Sequence, residues 1–538
     1  MRPSKKFTIK LLPAFLALMA MLMVACGGST APTGTNLPKA APAAQQIYRY
    51  PIADTDIPSF DPGQATDIES ITAINAVFTG LVTLDDQLKV QDQLAASHSM
   101  SSDGLTYTFK LRPNLKFSDG SPLQAQDVIY SIDRALTPEI SKLNGVSLTY
   151  LGLIKDSTGR TTGAVKSLIN DSLMAPTPDT VVIKLSKAAG YFLQALTYPS
   201  AFVVEKKVID QWGLKWIDHF ADNGGQGGAG PFIVSKYDHS TGIDLVPNKN
   251  YYGPIPKLQK FQILFYKAVK TEYEAYQANQ VDQTAVPSAN YAQAKLSKEF
   301  SQTSELTIFY LAMNYLAKPF DNIKIRQAME LAINKDLMIK SVWKGRYTPT
   351  CHIVPDGMPG YNPNLKCPMG VSTAGSPDLA KQLFTQGLGE AGYTLANFPP
   401  IKLTYAIGSS DVDNEFTTLK QMWQTVLGIN VTLAPVQYAT YLTESANTLG
   451  KSDKNGGLQM WSAGWGADYP DPQDWLTLQF GDNQSYNQYN YGNNQSATAS
   501  AQQADQQLMD AADGKTDQAS RLADYNKAEQ SIVDNVGW

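Results

Sequence analysis

The sequence of 538 residues contains little histidine and cysteine, and it lacks the motifs of two large hydrolase classes. Its four histidines are scattered, no H-E-x-x-H or G-x-S-x-G sequence occurs, and there are three cysteines. The sequence therefore lacks the minimum motifs of a zinc protease or a serine hydrolase. The chain also shows no short-period repeat and no heptad pattern, which excludes solenoids and coiled coils. We expect no metal site.

Positive charge is also in short supply. The formal net charge is −5, and four of the cations lie in an N-terminal segment that we expect to be removed. An acidic chain argues against binding to nucleic acid or to anionic lipid. The sequence GQGGAG at 225–230 matches the dinucleotide pattern G-x-G-x-x-G, but Pro231 and a strand-like segment follow where a helix is required. We therefore expect no cofactor.

The N-terminus predicts secretion. A basic start precedes an apolar run from Leu11 to Ala25, which is shorter than the roughly 20 residues of a membrane-spanning helix. The run ends in MVACGG, which resembles a bacterial lipobox, where the cysteine carries the lipid. We predict a signal peptide at 1–25 that is removed, a lipid on Cys26 that anchors the mature protein outside the bacterial cytoplasm, and a flexible tether at 26–45. The alternative is ordinary secretion with a free thiol.

The two other cysteines, Cys351 and Cys367, bracket CHIVPDGMPGYNPNLKC, a segment rich in proline and glycine. Secretion places both thiols in an oxidising compartment. We therefore predict a disulfide between them, with two buried thiols as the alternative.

Strand and helix patterns alternate along the rest of the chain. About 490 residues follow Gln45, which is enough for two or three domains. Alternating apolar residues predict a strand at 107–112, and further strand patterns occur in FIVSKYD, GIDLVPN and FQILFY. Ser121, Pro122 and Gln124 have the order of an N-cap, a first-turn proline and a capping-box partner, which predicts a helix start at Ser121. A second helix is predicted after Asn322.

Five ordered blocks of sequence carry a family resemblance. DGLTYTFKLRPNLKFSDGSPLQAQDVIYSIDRAL, residues 103–136, closely resembles the family 5 extracellular solute-binding proteins, the peptide-binding receptors of ABC importers. The other blocks are IPSFDPG near residue 60, GAGPFIVSKYDHSTGIDLVPNKNYYG at 228–253, PFDNIKIRQAMELAINKDLMIKSVWKGRY at 319–347 and GWGADYPDP from 464. The resemblance thus covers nearly all of the mature chain.

The resemblance implies an α/β fold of the type II periplasmic-binding-protein class. It has two lobes with mixed sheets, joined by crossover strands, and an extra inserted α+β domain. Mapped by blocks, the first lobe takes 46–66, 186–303 and 491–538, the inserted domain takes 67–185, and the second lobe takes 304–490. Ligand is expected between the lobes, which close by a hinge motion.

The sequence departs from the family pattern at two points. His98 stands in LAASHSMSSDG where members usually have tryptophan, which makes the local packing different. The pattern also continues beyond AEQSIVDNVGW, so we expect one lobe to lack its last elements in this sequence.

The segment GWGADYPDPQDW, residues 464–475, contains the candidate ligand site. The resemblance implies that Asp468 pairs with the α-ammonium of a bound peptide. Trp465 and Tyr469 would line the pocket, and the backbone from Gly464 to Gly466 would pair with the ligand as an added strand. By spacing, Thr66, Asp67 and Ile68 are expected to contribute a second backbone rail.

The two other carboxylates of this segment have different predicted roles. Asp471, between two prolines, is expected to hydrogen-bond the local backbone in a turn. Asp474 suits the first turn of a helix that starts near Trp475. A glycosidase would need paired acids about 5–10 Å apart, a spacing that Asp468 and Asp471 could also satisfy.

The predicted function is a lipid-anchored receptor that captures short peptides and delivers them to the permease subunits of an ABC importer. We expect a monomer that is not an enzyme. The alternative ligand is an oligosaccharide, because related proteins of this fold bind sugars and aromatic residues are abundant. A secreted hydrolase is the alternative from another class.

Overall fold

The structure is a computed structural model that describes residues 41–42, 45–143, 146–220 and 227–538. The predicted signal peptide at 1–25, the predicted lipid on Cys26 and most of the predicted tether at 26–45 lie outside the described residues. Within the described ranges, no helix combines the length and the apolar character needed to cross a bilayer. The described chain divides into two compact units, one up to Ser304 and one from Glu305 to Trp538.

The strands of the described residues are β1 (Ile47–Ile52), β2 (Val82–Leu84), β3 (Val90–Asp92), β4 (Ala95–Met100), β5 (Thr106–Leu111), β6 (Leu173–Thr177), β7 (Thr180–Lys184), β8 (Phe232–Asp238), β9 (Gly242–Pro247), β10 (Lys260–Phe265), β11 (Thr307–Met313), β12 (Ile401–Ala406), β13 (Val431–Val436) and β14 (Met460–Gly466).

The α-helices are α1 (Ile68–Val77), α2 (Ala125–Ala135), α3 (Pro138–Leu143), α4 (Ser147–Leu151), α5 (Ser157–Thr162), α6 (Phe192–Ala195), α7 (Lys206–Trp212), α8 (Val269–Gln277), α9 (Tyr291–Ala294), α10 (Ile323–Leu331), α11 (Lys335–Ser341), α12 (Pro377–Ala391), α13 (Ser410–Leu427), α14 (Tyr438–Ala446), α15 (Thr477–Phe480), α16 (Ala499–Asp513) and α17 (Gln518–Asp534).

The first unit contains two four-stranded sheets and a two-stranded ribbon. One sheet has the order β1-β10-β9-β8, in which β1 and β10 are parallel and the other pairs are antiparallel. The other sheet has the order β4-β5-β7-β6 and is antiparallel, and β2 pairs with β3. The strands predicted from FIVSKYD, GIDLVPN and FQILFY are β8, β9 and β10. These three strand predictions are confirmed.

The predicted strand at 107–112 is β5, and the start predicted for the next helix is wrong. Tyr107, Phe109 and Leu111 are buried on one face of β5, as the alternation requires. Helix α2, however, begins at Ala125, with Gln124 as its N-cap in a capping box with Asp127. Ser121 instead donates its hydroxyl hydrogen bond to Glu205 Oε1 at 3.0 Å. This distant partner is invisible in the local pattern.

The second unit contains one mixed sheet with a core on each face. The strand order is β11-β14-β12-β13, with β11 antiparallel to β14 and the other pairs parallel. Alternating residues of β11 and β14 face opposite sides. Met313 and Met460 join the core under α10, α12 and α13, whereas Ala312 and Trp461 join the core under α15, α16 and α17.

Helix α10 confirms the predicted helix after Asn322. Asn322 caps it by accepting hydrogen bonds from the backbone N–H groups of Lys324 and Ile325. The predicted apolar face is buried, and it consists of Ile325, Ala328, Met329, Ala332 and Ile333.

Residues 491–538 belong to the second unit, which corrects their predicted place in the first lobe. Helices α16 and α17 lie in the same core as Trp461. The buried Arg326 donates to the Asn535 carbonyl at 2.9 Å, and the Tyr315 hydroxyl donates to the Val536 carbonyl at 2.8 Å. Carbonyls at a helix end need donors from outside the helix, and here the second unit supplies them. The boundaries of the inserted domain at 67–185 stay a prediction.

The predicted disulfide between Cys351 and Cys367 is present, and its loop is held against α17. The bond joins residues 16 apart in sequence. Glu529 Oε1 of α17 accepts hydrogen bonds from the backbone N–H groups of Ile353 at 3.0 Å and Val354 at 2.9 Å. The disulfide thus closes the loop, and the hydrogen bonds to Glu529 join the loop to α17.

Replacing both Cys351 and Cys367 with serine should lower the free energy of unfolding by about 3 kcal/mol, the chain-entropy value for a loop of this length. Urea denaturation monitored by circular dichroism measures the change. Reduced wild-type protein serves as the control and should match the double variant. Equal unfolding free energies for the oxidised wild type and the variant would refute a stabilising role for the bond.

Candidate functional site

Strand β14 has one paired side and one side that is open near its end. On one side it pairs with β11 from Met460 to Gly466. On the other side, within the described chain, β12 pairs only with Met460 and Trp461. The sheet therefore has an open backbone edge from Ala463 to Gly466 in the described structure. Such an edge is a template for adding an extended peptide.

Hydrogen-bond alternation shows which groups face this edge. The Ala467 N–H donates to the Leu306 carbonyl, on the β11 side, at 2.8 Å. Backbone groups of an antiparallel strand alternate in direction, so Ser462, Gly464 and Gly466 direct theirs to the open side. The Tyr441 hydroxyl donates to the Ser462 carbonyl at 2.6 Å, in agreement with this direction. Gly464 and Gly466 are the residues placed to pair with an incoming chain.

An exposed aromatic ring lies over Gly464. Phe309 is its cross-strand neighbour, and a Cβ atom on Gly464 would lie 2.8 Å from Phe309 Cδ1. Glycine is therefore required for this close approach. Phe309 is 65% exposed and makes an edge contact with Tyr347 at 5.6 Å between ring centroids. The open edge thus has an apolar surface on one face of the sheet.

The loop after β14 is organised by Asp474. Its carboxylate Oδ2 accepts a hydrogen bond from the Asp468 backbone N–H at 3.0 Å. Asp474 is completely buried, whereas Asp468 is half-buried. Burial raises the pKa of Asp474 well above its usual range, and the nearby charge of Asp468 raises it further. Asp474 lies at the end of a 3₁₀ turn, Pro472–Asp474, which begins earlier than the helix predicted near Trp475.

Asp471 is held inside the protein by an ion pair. Its Oδ1 lies 2.7 Å from Arg521 Nη1 of α17, and both side chains are 2% exposed. The same oxygen accepts a hydrogen bond from the Gln473 N–H at 3.1 Å, which confirms the predicted backbone contact in a turn. Burial raises the pKa of Asp471, and Arg521 opposes the rise. Among the described residues, no group of three or more His, Cys, Asp or Glu side chains is arranged to hold a metal ion.

Two aromatic residues flank Asp468 in sequence. Trp465 makes an edge contact with Tyr486 at 4.8 Å, and the charges of Asp468 and Asp474 add to burial in raising the pKa of Tyr486. Tyr469 is 1% exposed, and its hydroxyl hydrogen-bonds to Gln473. The structure thus places Trp465 and Tyr469 beside Asp468. Their contact with a ligand stays a prediction.

The other predicted ligand residues lie in the first unit, where they form the start of α1. The Asp67 carboxylate caps this helix by accepting the Ser70 N–H at 2.7 Å. Thr66 and Ile68 are exposed. One carboxylate oxygen of Asp67 therefore has a structural function, and the ligand-binding role of all three residues stays a prediction.

Comparison with known proteins decides the family. The model of the "Bacterial extracellular solute-binding proteins, family 5 Middle" matches residues 89–487. The chain belongs to this family. The predicted membership of family 5 is therefore confirmed, and its members are extracellular proteins that bind solutes.

Relatives of this family 5 protein span most of its length. It is 27% identical to the oligopeptide-binding protein OppA of Bacillus subtilis over 489 residues, which cover 89% of this chain and 84% of OppA. It is 25% identical to the dipeptide-binding protein DppE of the same organism over 486 residues, covering 89% and 83% of the two chains. The solved structure of the Escherichia coli murein tripeptide binding protein MppA has a TM-score of 0.72, 24% identity and 91% coverage of both chains.

The likeness to MppA confirms the predicted fold class of this family 5 protein, a type II periplasmic-binding-protein-like fold with mixed α/β sheets. The sequence did not reveal the parts played by Asp474, Phe309 and Tyr441. A glycine inside a strand pattern, at Gly464, was the available signal of a close approach such as that of Phe309. Asp474 and Tyr441 act through tertiary contacts that no local pattern contains.

Replacing Arg521 with methionine should destabilise the protein by about 3–5 kcal/mol near neutral pH, because the Asp471 charge stays buried without its partner. The loss should shrink at acidic pH, where protonation removes that charge. Urea denaturation at two pH values measures both effects. Lys527→Met is the control, since Lys527 is exposed on the same helix and should change stability little. A loss of the same size in both variants would contradict the importance of the buried pair.

Proposed function

We propose that this protein is a receptor that captures short peptides outside the cytoplasmic membrane and delivers them to an ABC importer. Family membership supports the receptor function. The relatives named for oligopeptides, dipeptides and a murein tripeptide support a peptide as the ligand. The observation that carries the proposal is the open backbone edge of β14, which ends two residues before the carboxylate of Asp468.

The open edge supports recognition of the peptide main chain. Gly464 and Gly466 direct their N–H and C=O groups to this side, where an extended peptide can accept and donate hydrogen bonds as a further strand. Main-chain pairing does not depend on side-chain identity. The receptor should therefore accept peptides of many sequences.

The position of Asp468 supports recognition of the peptide N-terminus. A carboxylate and an ammonium group form a charge-assisted hydrogen bond that contributes about 1.5–3 kcal/mol in a site shielded from water. Asp468 lies where β14 ends, so the contact would set the register of the peptide along the strand edge. The half-buried side chain suits a contact that water does not fully screen.

The states of the other two carboxylates argue against a hydrolase. Asp471 is paired with Arg521 and shielded from water, and Asp474 is completely buried. Neither can act with Asp468 as an acid–base pair on a bound sugar, because both would need access to substrate or to a reacting water. We therefore propose that the protein is not an enzyme and that a separate ATPase supplies the energy for transport.

We also propose that the receptor is attached to the membrane and that it is a monomer. The lipobox-like sequence around Cys26 supports a lipid anchor on that residue. The protein would then act as a monomer at the outer surface of the cytoplasmic membrane, in contact with the permease subunits.

Replacing Asp468 with asparagine should weaken the binding of a tripeptide with a free amino group by several kcal/mol at most, because loss of one partner of a buried ion pair costs about 3–5 kcal/mol. N-acetylation of the same tripeptide should weaken binding to the wild type similarly, since it removes the ammonium and keeps the backbone. Isothermal titration calorimetry measures both changes.

Asp482→Asn is the matched control for that experiment, because Asp482 is an exposed aspartate of the same unit and its replacement should leave the affinity unchanged. Equal wild-type affinities for the free and the acetylated tripeptide would refute the proposed contact between Asp468 and the ammonium group. If an oligosaccharide binds to the protein and no peptide does, the proposed peptide ligand is wrong and the ligand is a sugar.

A further inference from the structure

The environment of the Asp474 side chain differs from that of an ordinary structural carboxylate. Its side chain is completely buried, and its Oδ2 accepts the Asp468 N–H at 3.0 Å. Its Oδ1 has no hydrogen-bond partner among the described residues. The indole nitrogen of Trp465 is also buried without a partner in the described chain, although the indole lies close enough to the Asp474 carboxylate to lower its pKa. A donor and an acceptor thus lie near each other in a contact that lacks full hydrogen-bond geometry.

The charges around Asp474 are mostly negative. Asp468 faces it from the loop, and Asp471 faces it from the 3₁₀ turn. Arg521 of α17 neutralises Asp471 at 2.7 Å, and Tyr486 is a neutral neighbour with a raised pKa. If Asp474 were ionised, its buried negative charge would therefore lie close to the negative charge of Asp468. Two such carboxylates do not ionise together readily, so the proton is held by the more buried one, Asp474.

We infer that Asp474 releases a proton when the ammonium group of a ligand binds Asp468, so that ligand capture is coupled to deprotonation of the loop that holds Asp468. This inference rests on the proposed function and adds a proton linkage to the same site. It makes Asp474 a positioning residue, since it acts on the ligand through Asp468 and Trp465.

The coupling between ligand binding and proton release follows from the change in charge at Asp468. A bound ammonium neutralises the Asp468 carboxylate and removes the repulsion that favours the neutral form of Asp474. The O–H bond of the Asp474 carboxyl breaks, and its proton passes to the buffer, while the ligand stays chemically unchanged. The ionised carboxylate then keeps the Asp468 N–H as a donor and can gain the Trp465 indole N–H as a second donor.

The sign of the pH dependence follows from this linkage. The ligand favours the ionised form of Asp474, so affinity should rise with pH between the pKa of the liganded and the free protein. The upper limit of that window is the raised pKa of the free protein, which lies well above the ordinary value of 3.8. Release of one proton corresponds to an affinity increase of about tenfold per pH unit at most.

Calorimetry with a free-amino tripeptide tests the inference. Titrations from about pH 5 to about pH 7, in buffers with different ionisation enthalpies, give the number of protons released. The range stays below the pKa of a peptide amino group, about 7.7–8.0. Wild-type protein should release a proton, with a maximum approaching one per tripeptide, and bind more tightly as pH rises. Asp474→Asn keeps an acceptor oxygen for the Asp468 N–H but has no proton to lose, so the release and the pH dependence should vanish.

Each other outcome overturns the inference. Tight binding to the wild type without proton release rejects the linkage and leaves the proposed function standing. Equal release by the wild type and Asp474→Asn assigns the proton to another group. If the variant does not fold, an infrared difference spectrum of the wild type decides, because tripeptide binding must remove the C=O band of a protonated carboxyl group. Failure of every tripeptide to bind would reject the proposed function itself.

Discussion

The geometry of the candidate site depends on the buried ion pair between Asp471 and Arg521. This pair joins the loop after β14 to α17, and both partners are shielded from water. Helix α17 is in turn held to the rest of the second unit by Arg326, which donates to the carbonyl of Asn535. The loop that carries Asp468 therefore rests on a helix that is anchored through its own C-terminal end. Loss of one partner of a buried pair is costly, so an intact pair favours the arrangement of the loop seen here.

Three aspartates within seven residues have three different chemical states. Asp471 is neutralised by Arg521, Asp474 is completely buried, and Asp468 is half-buried beyond the end of a strand. Burial and neighbouring charge, rather than residue type, decide which carboxylate can meet a ligand. The proposed ligand contact falls on the least buried of the three carboxylates, Asp468, while the other two hold the loop.

The sequence contained the local structure but not the long-range contacts. Alternation predicted β5, and the cap of Asn322 predicted α10, because both signals are local. The start of α2 was wrong because the Ser121 hydroxyl bonds to Glu205, a residue far along the chain. The place of residues 491–538 was wrong for a similar reason, since Arg326 and Tyr315 satisfy carbonyls about 200 residues away in sequence. At the site, the resemblance supplied Asp468, whereas the burial of Asp474 needed the folded chain.

A crystal structure of the protein with a bound tripeptide would test the proposed binding site directly. The ammonium nitrogen should lie within hydrogen-bond distance of the Asp468 carboxylate, and the main chain of the tripeptide should pair with Gly464 and Gly466. A tripeptide bound at another place, or an Asp468 side chain that faces bulk solvent in the complex, would refute the proposed site.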